Sequence, residues 1–155
     1  MSSDALPEKL LDGALLERFK EAATGAGPKL TTDELQELAT VTHIGFGFLD
    51  GCKDITSLDL SPLSNVTWIG DNFLVSCHGL TALDLSPLRN VTRIGKWFLC
   101  CERLTTLDLS PLSNVTDVGE RFLSNCGAEK TADRSVMKKA VFASPYVSVD
   151  DQDWS

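Results

Sequence analysis

Apolar residues recur along the chain in one fixed figure. Leu80, Leu83, Leu85, Leu88, Val91, Ile94, Phe98 and Leu99 form one copy, and Leu104, Leu107, Leu109, Leu112, Val115, Val118, Phe122 and Leu123 form the next. The polar letters between them repeat as well: LDLSPLSNVTWIG starts at Leu58, LDLSPLRNVTRIG at Leu83 and LDLSPLSNVTDVG at Leu107. The second half of the figure, V-T-x-[I/V]-G-x-x-F-L, starts at Val41, Val66, Val91 and Val115, so the period is 25, 25 and 24 residues. Self-similarity at such a period marks stacked units, none of which can bury its apolar face alone. The one-residue deletion falls between Leu99 and Cys101, where a connecting turn absorbs it.

Within a unit, the alternation of Leu83 and Leu85 predicts a strand over Leu80 to Leu85, with Ala82 and Asp84 facing outward. Ser86-Pro87 ends that strand, because proline lacks the N–H that a ladder requires. Leu88, Val91 and Ile94 then return inward, and Gly95 is expected to supply a bend with unusual backbone angles. Lys96 to Cys101 has room for one or two helical turns.

The flanks differ. From Asp4 to Ala23 the apolar spacing is helical, with Asp4 as N-cap, Pro7 in the first turn and Gly25 to Gly27 as the stop, so residues 1–29 read as a helical cap over the open end of the stack. Residues 30–54 hold a decayed first copy, in which Leu35, Leu38 and Val41 align with Leu85, Leu88 and Val91. After Cys126 the figure fails: Glu129, Ala132 and Arg134 stand where leucines are due. The array is therefore expected to span 30–126, a capping helix to cover Thr131 to Phe142 within 127–143, and an acidic flexible tail to occupy 144–155.

The consensus L-T-x-L-D-L-S-P-L-x-N-V-T-x-I-G-x-x-F-L-x-x-C resembles the leucine-rich repeats of the Treponema-like, BspA-type class, and especially the LDLSPL-bearing repeat proteins of trypanosomatids and related protists. The resemblance covers residues 55–126 closely and 30–54 loosely. It implies an α/β fold, a short leucine-rich-repeat solenoid with a parallel strand face, a helical N-terminal cap and a helical C-terminal cap. It also implies a family that includes surface and interaction proteins.

Composition narrows the function. The chain has 155 residues, 43% of them apolar, enough for one continuous core. A net charge of -8 gives no basic footprint for nucleic acid or anionic membrane. MSSDALPEKLLDG has neither the basic start nor the apolar run of a signal peptide, which predicts an intracellular, cytoplasmic protein. Cys52, Cys77, Cys101 and Cys126 follow the period while Cys100 does not, and with no C-x-x-C the five read as reduced thiols rather than disulfides or a metal site. The periodic four are expected as buried filling, and Cys100 as a candidate reactive surface thiol.

Candidate chemistry lies in rows. Stacking aligns Asp59, Asp84 and Asp108, flanked by Ser57, Ala82 and Thr106 and by Ser61, Ser86 and Ser110. Two roles fit: an acidic strand face for a basic peptide or lysine-rich partner, or a repeated structural element bonding nearby hydroxyl or turn N–H groups. Three slots vary from copy to copy and should face solvent: His43, Trp68, Arg93 and Asp117; Phe46, Asp71, Lys96 and Glu120; Gly47, Asn72, Trp97 and Arg121. Trp68 and Trp97 are the candidate anchors among them. Asn65, Asn90 and Asn114 each open an N-V-T sequon; in a protein without a leader they are expected to bond neighbouring turns instead of carrying glycans. Ser144 is a candidate phosphorylation site, and Asp150 to Trp154 a short acidic recognition segment. Only His43 and His78 can act as bases near neutral pH, and no nucleophile elbow or phosphate-binding loop is present. The expected function is thus a non-catalytic protein–protein interaction module or small adaptor, without cofactor or metal. The alternative is a cell-surface or secreted adhesion protein.

Overall fold

The structure, a computed structural model, describes residues 8–129 and 131–142. Its spine is a six-stranded open sheet of two-residue strands: β1 (Leu10–Leu11), β2 (His43–Ile44), β3 (Trp68–Ile69), β4 (Arg93–Ile94), β5 (Asp117–Val118) and β6 (Val141–Phe142). The strands lie in chain order, every pair parallel, in the register Leu10, His43, Trp68, Arg93, Asp117, Val141. Two helices, α1 (Gly13–Ala23) and α2 (Thr32–Leu38), precede β2. Short 3-10 turns cover Ser61–Leu63, Ser86–Leu88, Ser110–Leu112 and Arg134–Val136.

The strand of each unit is not where the leucine alternation places it. Leu83 and Leu85 do turn inward, and Asp84 outward. Yet across 80–85 the only pairing is one isolated bridge, Ala82 to Thr106. The ladder forms instead at V-T-x-I-G. Thr67 N–H and Trp68 N–H both donate to the Thr42 carbonyl, at 2.8 and 3.2 Å, and Gly70 N–H donates to Ile44 O at 2.7 Å. The next unit repeats this with Thr92 on Thr67 and Gly95 on Ile69, both at 2.8 Å. Glycine is required there by closeness, not by unusual angles. A Cβ on Gly95 would lie 2.8 Å from the Gly70 carbonyl carbon, and one on Gly119 2.6 Å from that of Gly95.

Positive φ occurs one step later, in the stretch expected to be helical. Leu49, Leu74, Leu99 and Leu123 all sit at φ between 53 and 58°. A buried leucine in the left-handed region costs about 1–3 kcal/mol of strain. It persists because Leu74, Leu99 and Leu123 each donate N–H to the preceding unit, at Phe48 O, Phe73 O and Phe98 O, 3.0 Å in every case. Meanwhile Asn72 and Trp97 donate to the following unit, at Lys96 O and Glu120 O. A helix would satisfy these groups within the segment and leave the neighbours unpaired, so turns replace the expected helical turns.

Phe48, Phe73, Phe98 and Phe122 form a file through the core, their rings stacked at 5.2–5.5 Å and 4–10° from parallel. Phe19 of α1 closes one end at 5.9 Å, and Phe142 of β6 the other at 5.5 Å, edge-on. The N-terminal cap is therefore a strand and a helix, with Asp12 at the N-cap position of α1 and Gly25 (φ 79°) just past its end; Asp4 and Pro7 lie outside the described residues. In the decayed first unit, α2 takes the place of the 3-10 turn. Thr31 accepts from Glu34 N–H while the Glu34 carboxylate accepts from Thr31 N–H, a reciprocal cap that starts the helix. Leu38 then lands in the core where Leu63 and Leu88 do.

The expected C-terminal helix over Thr131 to Phe142 is absent. A further decayed unit occupies the position: Ser135 N–H bonds Asp133 Oδ1 at 3.0 Å as Ser110 N–H bonds Asp108, Met137 fills the Leu112 position, and Val141 N–H donates to Thr116 O at 2.7 Å. The array thus runs past Cys126, because backbone pairing tolerates the loss of leucines that the sequence pattern requires. The acidic segment 144–155, with Ser144 and Trp154, lies outside the described residues.

Phe98 is fully buried between two stacked rings, whereas Phe46 is 78% exposed. Phe98→Ala should lower unfolding free energy by about 3–5 kcal/mol, and Phe46→Ala by less than about 0.5 kcal/mol, as read from urea midpoints with secondary structure monitored.

Candidate functional site

The aspartate row is a set of turn locks. Asp59, Asp84 and Asp108 each use Oδ1 to accept the N–H of Ser61, Ser86 and Ser110, at 2.9 Å in all three. That bond starts the Ser-Pro-Leu 3-10 turn, whose preceding leucines sit near φ -90° and ψ 0°. The Ser86 hydroxyl and then its N–H lower the Asp84 pKa, and the Ser110 N–H and then its hydroxyl lower that of Asp108, while Asp84 raises Asp108 slightly as a like charge. Ser57, Ser61, Ala82, Thr106 and Ser110 are exposed beside them, and Ser86 is half-buried. The structure brings these residues together, but on a stretch whose one pairing is the Ala82–Thr106 bridge rather than on a strand face.

The asparagine and cysteine rows are equally structural. Asn65, Asn90 and Asn114 donate Nδ2 to Ala39 O, Ser64 O and Arg89 O of the preceding unit, at 2.6, 2.9 and 2.9 Å. Cys77, Cys101 and Cys126 are buried, with Cys52 half-buried, and all five thiols are free. Cys101 donates to Leu74 O at 2.7 Å, and its thiol is held far above the ordinary range by its hydrogen bond with Cys77 and by burial. Cys100 is no reactive surface thiol. Burial first, then the neighbouring Cys101 and Cys126, push it up to about 11, and its Sγ lies 2.5 Å from Ser124 O.

The outward side chains of the paired strands present something different. His43 meets Trp68 edge to face at 4.9 Å, the Arg93 guanidinium lies over the same indole at 5.7 Å, and Arg93 Nε reaches Asp117 Oδ2 at 3.6 Å. Four unlike residues thus form one continuous contact chain across β2 to β5. Trp68 remains 43% exposed within it. Trp97, 36% exposed, stands on the left-handed turn of its unit with Arg121 at 5.4 Å. The two tryptophans are therefore separate features, each shared with an arginine.

Beside Trp68 lie residues that the sequence did not single out. Leu10 and Phe46 are 47% and 78% exposed, and with His43, Trp68, Glu8 and Asp71 they line one groove of about 480 Å³. The available signal was Phe46 itself, an aromatic ring in a slot filled by Asp71, Lys96 and Glu120 in the other units. Leu10 gave none, since its place on the row comes from β1 pairing with β2.

His43 Nδ1 is engaged by the Thr42 hydroxyl at 2.7 Å, and His78 Nδ1 lies 3.5 Å from Glu102 Oε1. Among the described residues no cluster of three or more His, Cys, Asp or Glu is placed to hold a metal, and no helix is long and apolar enough to cross a membrane.

Residues 28–142 match, in six copies, the family profile described as the BspA type leucine rich repeat region. No curated protein and no solved structure matches the chain.

Because folding lowers the pKa of Asp84 and Asp108 below the ordinary 3.8, each charge adds stability that is full above that value and is lost as pH falls through the lowered one. Asp84→Asn/Asp108→Asn should therefore be less stable than the native chain by a constant margin from about pH 5 to 8, a margin that shrinks below about pH 4; urea midpoints against pH read this. A thiol with a pKa of about 11 is almost wholly protonated at neutral pH. Cys100→Ser should accordingly leave the rate of iodoacetamide labelling of the folded protein at pH 7.5 unchanged, by intact mass.

Proposed function

The chain belongs to the BspA-type leucine-rich repeat family, and on that premise we propose that it is a non-catalytic protein-interaction module that meets its partner with the outward row of its parallel sheet. Repeats of this family generally mediate protein–protein contact and are typically non-enzymatic. The observation that carries the choice of face is the contrast between two rows. Asp59, Asp84 and Asp108 are the same residue in the three central copies and are each spent on a turn N–H group, whereas His43, Trp68, Arg93 and Asp117 differ from copy to copy, with Trp68, Arg93 and Asp117 exposed and His43 half-buried.

A preformed row suits recognition because little ordering entropy is lost on binding. Trp68 supplies a rigid apolar surface with an arginine already stacked on it, the residue types that dominate protein interfaces. Five free cysteines, three of them buried, support an intracellular, reducing setting, in which the chain would act as a small adaptor subunit. The LDLSPL wording supports kinship with the trypanosomatid-type LDLSPL repeat proteins within the family.

Quantitative capture of partners by the tagged full chain tests the choice of face. Trp68→Ala/Arg93→Glu should lose the bound partner, at least tenfold in yield, while Asp59→Ala/Asp84→Ala/Asp108→Ala keeps it with a lower unfolding midpoint. The reverse result would move the site to the aspartate row and its serine and threonine flanks.

A further inference from the structure

Resting on that reading of the strand row, we propose that the groove at its β1 end binds a basic peptide segment of the partner, seating a bulky aliphatic side chain flanked by lysine or arginine. Leu10, His43 and Trp68 are register neighbours on β1, β2 and β3, so their side chains stand side by side on one face. Gly45 keeps the floor open on the Leu10 side, where Leu10 Cδ1 lies 3.2 Å from the position a Cβ would take, and Gly70 also lines the groove. Phe46, 78% exposed, forms the wall. A wall of phenylalanine, leucine and tryptophan around about 480 Å³ is the right size and polarity for one or two aliphatic side chains.

Charge decides what accompanies them. The lining includes two carboxylates, Glu8 and Asp71, and no lysine or arginine. Asp71 is fixed in position, since its Oδ1 accepts the Lys96 N–H at 2.8 Å. Arg93, on the neighbouring part of the row, lies over Trp68 and reaches Asp117. An acidic peptide would therefore meet like charge at the rim, on a chain that carries -8 overall. A basic one meets complementary charge, which raises both encounter rate and specificity.

The test is fluorescence anisotropy of labelled hexapeptides on the full chain. RKLLKR, with the basic and aliphatic features, should bind at least tenfold more tightly than EELLEE or RKSSKR, and should weaken as salt is raised from 50 to 300 mM. Phe46→Ser and Asp71→Asn should each weaken RKLLKR at least tenfold, Phe46→Ser with an unchanged melting temperature and Asp71→Asn with native circular dichroism, whereas Trp97→Ala, outside the groove, should not. Binding of EELLEE at equal strength, or binding of RKLLKR unaffected by Phe46→Ser, overturns the groove. So does the absence of RKLLKR binding. If the partner is still lost by Trp68→Ala/Arg93→Glu in any of these cases, the strand-row reading stands and the groove alone fails; if that variant keeps its partner, the reading beneath it fails too.

Discussion

Inward-facing side chains in this protein largely meet their own counterparts from the next unit, at a separation set by backbone pairing. Thr67 on Thr42, Thr92 on Thr67 and Thr116 on Thr92 all close at 2.8 Å, and Gly70, Gly95 and Gly119 leave no room for a side chain between neighbouring backbones. Fixing that distance fixes everything attached to it. The phenylalanine rings fall at stacking separation, the asparagine amides reach the preceding turn, and the cysteine sulfurs reach the preceding carbonyls.

Strain in the turns is a consequence of the same constraint. Leu74 and its equivalents accept a left-handed backbone because their N–H groups are then aimed at the previous unit while those two residues earlier are aimed at the next. The decayed first unit relieves part of this with Gly47 and Gly51 at φ 77 and 76°, where later copies have Asn72 and Ser76. Self-stacking also explains why variation is confined outward. A change inside must suit two neighbours at once, but His43, Trp68, Arg93 and Asp117 need only solvent, one another and whatever docks on them.

The ends depart from the figure without departing from the pairing. α1 lends Phe19 to one end of the aromatic file, and the last unit replaces Leu112 with Met137 and Val118 with Phe142 while keeping the Asp133 to Ser135 lock. Open ends of a solenoid need such substitutes because the terminal core residue has one neighbour rather than two.

Period alone determined that this chain stacks, which side chains fill the core, where the polar rows run and where Ser-Pro ends a segment. Those follow from sequence because repetition makes each position's environment a copy of itself. The candidate site was only half legible: Trp68 and its slot could be picked out as varying, but Leu10 joins it from outside the repeat and Phe46 became a groove wall only in three dimensions. The location of the strands, the left-handed leucines and the last unit were likewise decided by tertiary structure. Hydrophobic alternation reports which way a side chain points, and the leucine segment has it. Pairing depends on how closely backbones approach, and that was decided by threonine and glycine once the units were stacked.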